Sequence, residues 1–211
     1  AQSRKRGEHL LAALAEQAEA AGVALETEAL ATAPAALADT AAMRARYHDI
    51  VLAGWEAGNA TTRTMVEALV FGAGRPVVLL PELTAVDGLD HVAIAWDGSR
   101  VAARAVADAR LFLARAGRVS VMSVVDEKPL KLEGAERLAA GLRQRGLDAE
   151  AVPLRTEGAP IGETLQQSAL DRGCRLLAMG GYGHSRMRDF VLGGATQGVL
   201  DNLLLPVLVS H

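Results

Sequence analysis
The 211 residues are enough for one large domain or two of about 100 residues, with room for a proper core. Half of them are hydrophobic, only 3% are aromatic, and the formal net charge is −3 with Lys and Arg spread along the chain. This composition excludes a disordered polymer, a basic footprint for nucleic acid and a polybasic membrane patch.

At the start, Arg4, Lys5 and Arg6 precede the apolar Leu10, Leu11 and Leu14, but Glu16 and Glu19 arrive before a signal-peptide core is complete. The stretch 3–21 therefore reads as an amphipathic helix closed by Gly22. The chain begins inside that helix and without Met, so upstream sequence is expected. The alternation over 23–30 predicts a strand, and 33–47 a second helix. Ile50 to Ala53 is a short buried strand that stops at Gly54. A helix over 62–71, a Gly72-Ala73-Gly74 turn and a strand over 76–80 follow. No apolar run approaches the roughly 18 residues a membrane span needs, and a cytoplasmic location is expected.

After a linker at 83–90 the same order returns with a longer opening. Strands are expected at 92–96, 118–125, 149–154, 176–179 and 205–209, and helices at 101–115, 133–145, 160–171 and from Gly193 onward. Apolar Ala195, Val199, Leu200, Leu203 and Leu204 fall on one face of the last helix. The two tails match in kind. Asp49 to Gly54 with Arg75 to Leu80 mirrors Arg175 to Gly180 with Leu205 to Val209, although Gly54 to Pro76 is 22 positions and Gly180 to Pro206 is 26. Strands alternating with helices predict an α/β fold with a doubly wound parallel sheet, in two tandem repeats. The first, 1–82, is incomplete and degenerate in its loop; the second, 91–211, is complete.

The stretch that organises the second repeat begins where the strand ending at Met179 meets Gly180. Gly180, two residues, Gly183, nine residues and Gly193 form a loop that leaves a buried strand and returns to a helix start, where free amides and the helix dipole attract anions. It is neither the Gly-x-Gly-x-x-Gly dinucleotide pattern nor a Walker loop. The spacing resembles the nucleotide-binding signature of the universal stress protein family, G-x2-G-x9-G-S/T, with Gly194 standing where that pattern has Ser or Thr. A hydroxyl contact to phosphate is thereby lost, and Thr196 is a candidate to supply another. Read structurally, the glycines need only permit a tight strand-to-helix turn.

The resemblance implies the adenine nucleotide alpha hydrolase-like fold and ATP, or another adenine nucleotide with or without Mg2+, as ligand in a stress-response protein. Carried over by position, the acidic residue facing the nucleotide is Asp97, and the backbone position meeting adenine is Val124. The loop that would hold ribose and phosphates comprises Met179, Gly180, Gly183, His184, Gly193, Gly194, Ala195 and Thr196. It also implies that the last strand pairs antiparallel, either with 76–80 in an intramolecular pseudo-dimer or across a homodimer. From the residues themselves, Asp97 also suits an Asx turn or helix cap, and His184, Arg186 and Arg188 suit either phosphate or a solvated loop face. No general base or Mg2+ carboxylate pair stands out, so any hydrolysis would be slow. A stress-response adaptor that binds no nucleotide is the alternative, and an enzyme of a related fold would need a catalytic residue the sequence does not display. His184-Ser185 beside Asp189 lacks a nucleophile elbow. The five histidines have no ligand spacing and Cys174 has no disulfide partner, so neither a metal nor an oxidised scaffold is indicated. Cys174 reads as a packing residue, and Trp55 and Trp96 as partly buried at strand ends.

Overall fold
Short runs of Val, Leu, Ile and Ala bounded by glycine or polar turns build the sheet in the computed structural model, which describes residues 2–30, 32–82, 88–126, 132–181 and 194–211. The chain divides into two units, residues 1–34 and 35–211. In the first, helix α1 spans Gln2–Ala20 and ends in a turn at Gly22, whose φ of 66° suits a residue without a side chain. The second holds everything else: α2 (Leu37–Ala45), β1 (Val51–Trp55), α3 (Ala60–Gly72), β2 (Val77–Pro81), β3 (His91–Ala95), α4 (Arg100–Asp108) and α5 (Arg110–Leu113). After these come β4 (Arg118–Val124), α6 (Leu132–Arg143), β5 (Ala149–Leu154), α7 (Ile161–Asp171), β6 (Leu176–Gly180), α8 (Gly194–Asp201) and β7 (Val207–Ser210).

The seven strands lie in the order β1-β2-β7-β6-β3-β4-β5. All neighbours are parallel except β2 and β7, which run antiparallel with Val77, Val78 and Leu79 opposite Val209, Leu208 and Val207. Central strands covered on both faces must be apolar throughout, and Val92, Ala93 and Ile94 in β3 and Leu177 and Ala178 in β6 are completely buried. Two clusters form, one on each face. One runs through Val66, Val77, Met179, Val199 and Val207, the other through Val78, Ile94, Val121, Leu142 and Leu176.

The α/β class, the mostly parallel sheet and the pairing of the last strand with 76–80 agree with the sequence. β7 is bonded to β2 on one side and to β6 on the other. Three local expectations fail. Residues 23–30 form no strand: Val23 and Leu25 are exposed and no ladder partner exists for them among the described residues, so alternation alone makes no sheet. The helix expected over 33–47 is a 3-10 turn at Pro34–Ala36 followed by the shorter α2. The helix expected over 101–115 is divided at the buried Ala109, whose ψ of −2° tightens the chain into a turn before α5. Trp55 is also more buried than its strand-end position suggests, at 4% exposure, with its indole N–H donating to the Leu200 carbonyl at 2.8 Å.

Candidate functional site
In an open parallel sheet the chain leaves a crevice where successive connections depart in opposite directions. Here β3 is followed by β4 on one side, whereas β6, its other neighbour, is followed by β7 on the far side. The crevice therefore lies beyond the carboxyl ends of β3 and β6. The register Ile94 to Ala178 brings Asp97 to one lip and Gly180 to the other.

Asp97 is exposed, and its Oδ1 accepts from the Ser99 amide at 2.9 Å, closing an Asx turn through Gly98, whose φ is 75°. Ser99 is the residue that caps α4, its Oγ accepting from the Ala102 amide at 3.2 Å. Asp97 thus has the turn role its sequence allows, and its exposed position keeps the nucleotide-facing role open to it. Gly180 is dictated by packing: a Cβ there would stand 2.6 Å from the Val101 carbonyl carbon and the Ala102 amide nitrogen. The first turn of α4 rests directly on the end of β6, and only glycine permits it. Met179 is turned into the core at 3% exposure and can present only backbone to the crevice.

Gly183, His184 and Gly193, with Ser185, Arg186, Arg188 and Asp189, lie outside the described residues. Gly194 opens α8 and is exposed, Ala195 is half-buried and Thr196 is buried. Two features missed by sequence reasoning place this helix start. A Cβ on Gly162, in the first turn of α7, would lie 2.5 Å from the Val199 amide nitrogen and 2.6 Å from the Ala195 carbonyl, so α7 and α8 meet backbone to backbone. The fully buried Gln166 then fixes the far end of α8. Its amide donates to the Asn202 carbonyl at 2.8 Å, and its oxygen accepts from the Leu204 amide at 2.8 Å. The Ile161-Gly162 pair and a glutamine on a buried helical face were the available signals.

The third strand end belongs to β4. Val124 is buried and pairs with Leu154, and the next residue, Val125, donates its amide to the Leu154 carbonyl at 2.9 Å. Asp126 accepts from both the amide and the hydroxyl of Thr156, at 2.8 and 3.2 Å, tying the end of β4 to the loop after β5. Partial desolvation pushes its carboxyl pKa up, but the hydrogen bonds from Thr156 and neighbouring amides outweigh that and hold it below the ordinary value. The structure thus brings Asp97, Val124, Met179 and Gly180 to one edge of the sheet, and the α7 contact carries the start of α8, with Gly194, Ala195 and Thr196, to that edge as well.

At the opposite edge, His91, Ser120 and Glu150 join the starts of β3, β4 and β5. The His91 Nδ1–H donates to the Arg172 carbonyl at 3.0 Å, Nε2 lies 2.9 Å from Ser120 Oγ, and that oxygen is 3.2 Å from Glu150 Oε1. Ser120 is fully buried, which removes it from any nucleophilic role. Burial pushes the neighbouring Cys174 thiol up to about 11, so it remains protonated and serves as packing. Among the described residues, no group of three His, Cys, Asp or Glu side chains could hold a metal ion, and no helix is long and apolar enough to cross a membrane.

The chain is similar in structure to a universal stress protein from Archaeoglobus fulgidus DSM 4304, with a TM-score of 0.77 at 18% identity over 98% of this chain and 76% of that one. A functionally unknown protein of Pseudomonas aeruginosa PAO1 superimposes with a TM-score of 0.58 at 17% identity, over 96% of this chain and 77% of that one. At such identities the likeness establishes the fold alone. A comparison with curated proteins finds no match. The profile of the universal stress protein family matches residues 88–211, the segment that carries β3 to β7, the crevice and the Gly180-to-Gly194 stretch. By this match over more than half its length, the chain belongs to the universal stress protein family.

Proposed function
We propose that the chain binds an adenine nucleotide, ATP in the first instance, in the crevice beyond β3 and β6 and acts in the response to stress. The observation that carries this reading is the meeting, at the switch point, of an exposed carboxylate and the strand end from which the G-x2-G-x9-G stretch departs. The residues suit such a ligand. Gly194 at the head of α8 is exposed, nothing among the described residues, its own neighbours aside, lies within 4 Å of where its Cβ would be, and helix-terminal amides there favour phosphate. Asp97 would face the ribose side, the Val124 backbone the base, and Gly180, Gly183, His184, Gly193, Gly194, Ala195 and Thr196 the ribose and phosphates. Mg2+ would enter with the phosphates.

The second reading, an adaptor that binds no nucleotide, is favoured by one residue, Gly194, which lacks the hydroxyl of the family pattern. In either case β2, bonded antiparallel to β7, lets the first half occupy the place of a partner subunit in a pseudo-dimer. Calorimetric titration with ATP, with and without Mg2+, separates the two readings. Saturable heat that disappears in Gly183→Trp supports the nucleotide site. A folded sample giving no heat at millimolar ATP establishes the adaptor, and unchanged affinity in Gly183→Trp moves the site elsewhere.

A further inference from the structure
The outer surface between α4–α5 and α6 carries a groove of about 480 Å3, which Trp96 closes at the carboxyl end of β3. Its volume lies in the roughly 300–1,000 Å3 range of clefts that hold small molecules. One wall mixes Ala103, Ala107 and Ala114 with the larger Val106 and Leu113, and the other is Leu138 and Leu142. The spacing explains the cleft. Residues 103, 107, 110 and 114 recur on one side of α4–α5, and 138, 142 and 145 on one side of α6 and the turn that ends it. Alanines on the first helix leave unfilled the space that larger side chains would have closed.

Two cations complete the lining, Arg110 and Arg145. Arg63, Arg104, Arg118, Arg143 and Arg172 are matched to carboxylates, whereas others of the described chain, such as Arg100, Arg115 and Arg137, are not; what distinguishes Arg110 and Arg145 is that they line the groove. Arg110 and Arg145 have no acidic partner among the described residues, although both stand beside an apolar surface from which water would be displaced on binding. Two unmatched guanidinium groups bordering an apolar trough of this volume call for a ligand with a hydrocarbon body and an anionic head, because a planar carboxylate matches the guanidinium fork. We propose that this groove is a second binding site, for an amphipathic carboxylate such as a medium-chain fatty acid. The site does not depend on the nucleotide crevice.

The protein contains its own reporter. Of its two tryptophans, Trp96 lines the groove, whereas Trp55 is buried in the cluster on the other face of the sheet. In Trp55→Phe protein, titration with dodecanoate at micromolar concentrations is expected to give a saturable change in Trp96 emission, with dodecanol binding about tenfold or more weakly because it lacks the charge. The double substitution Arg110→Gln, Arg145→Gln, on two exposed side chains, should reduce dodecanoate affinity by about tenfold and leave dodecanol unaffected. Calorimetry on the unsubstituted protein repeats the dodecanoate and dodecanol comparison without any variant. The proposal is overturned by the absence of saturable binding, by equal affinity for dodecanol and dodecanoate, or by full dodecanoate affinity in the double variant.

Discussion

His91 shows how one side chain can register pH through its hydrogen bonds. A carbonyl can only accept, so the 3.0 Å contact with Arg172 fixes the ring proton on Nδ1 in the neutral form, and Nε2 then accepts the Ser120 hydroxyl. Ser120 has a single proton; when the ring is charged, Nε2–H donates instead and the hydroxyl turns to Glu150. Burial is the largest influence and favours the neutral ring, and the Arg118 and Arg172 charges add to it. The bond to the Arg172 carbonyl and the Glu150 charge oppose it, and the net pKa is below the ordinary histidine value. The unfolded chain therefore takes up the proton first. Stability from this group is complete above the unfolded pKa and is lost as pH falls through the lower folded one. The urea midpoint should decline as pH is taken from 7.5 to 5, and His91→Gln should flatten that decline; an unchanged slope in the variant would remove His91 from the account. Gly194 permits a test of a different kind. With nothing among the described residues, its own neighbours aside, within 4 Å of its Cβ position, Gly194→Ser restores the family hydroxyl. If phosphate sits there, ATP affinity should rise about two- to tenfold, as for one added hydrogen bond worth ~0.5–1.5 kcal/mol. Calorimetry that finds affinity unchanged would place the phosphate away from this residue.

Among the elements, α7 and α8 depend on each other more than their sequences suggest. Gly162 brings the two backbones into contact, and the buried Gln166 bonds the Asn202 carbonyl and the Leu204 amide in the segment after α8. In Gly162→Ala the new methyl would meet the backbone of α8, which cannot rotate away. A loss of about 1–3 kcal/mol is expected by chemical denaturation, the usual cost of overpacking. A neutral result would mean that α8 can slide, and with it the proposed phosphate amides. Such contacts explain what could be read from the sequence. Strands β3, β4 and β6 were legible because burial on both faces demands continuous apolar runs, and the carboxyl-edge location of Asp97, Val124 and Gly180 followed from their places at or just after the ends of those runs. The Gly162 contact, the Asp126 to Thr156 tie and the His91 relay were not, because each joins residues 29 or more positions apart with no periodic trace. The failed strand at 23–30 is the converse case: its alternation is real, but among the described residues no neighbouring ladder rewards it. Gly180 shows why a motif alone is ambiguous, since its missing side chain is already accounted for by α4.

The antiparallel seam between β2 and β7 joins β1 and β2 to the rest of the sheet, and the question is whether the two sides unfold as one. The first half supplies only β1, α2, α3 and β2, too little to close a core by itself. Its buried Val66, Val70 and Val77 belong to the same cluster as Val199, Leu200, Val207 and Val209, and the Trp55 indole is bonded to the Leu200 carbonyl. With Val77, Val78 and Leu79 buried against β7, opening the seam would expose apolar surface on both sides at about 25 cal/mol per Å2 and leave two ladders unpaired. Neither half can open without the other losing part of its core. Native-state hydrogen exchange on the intact chain should therefore give the slowest amides of β2, β7 and β6 the same opening free energy, equal to that of global unfolding. Independent halves would instead give a low tier for β1 and β2 and a high tier for β3 to β6. A tiered result would make the seam a docked contact between separate folding units and take away its part in holding β7, the strand beside β6, in place next to the crevice.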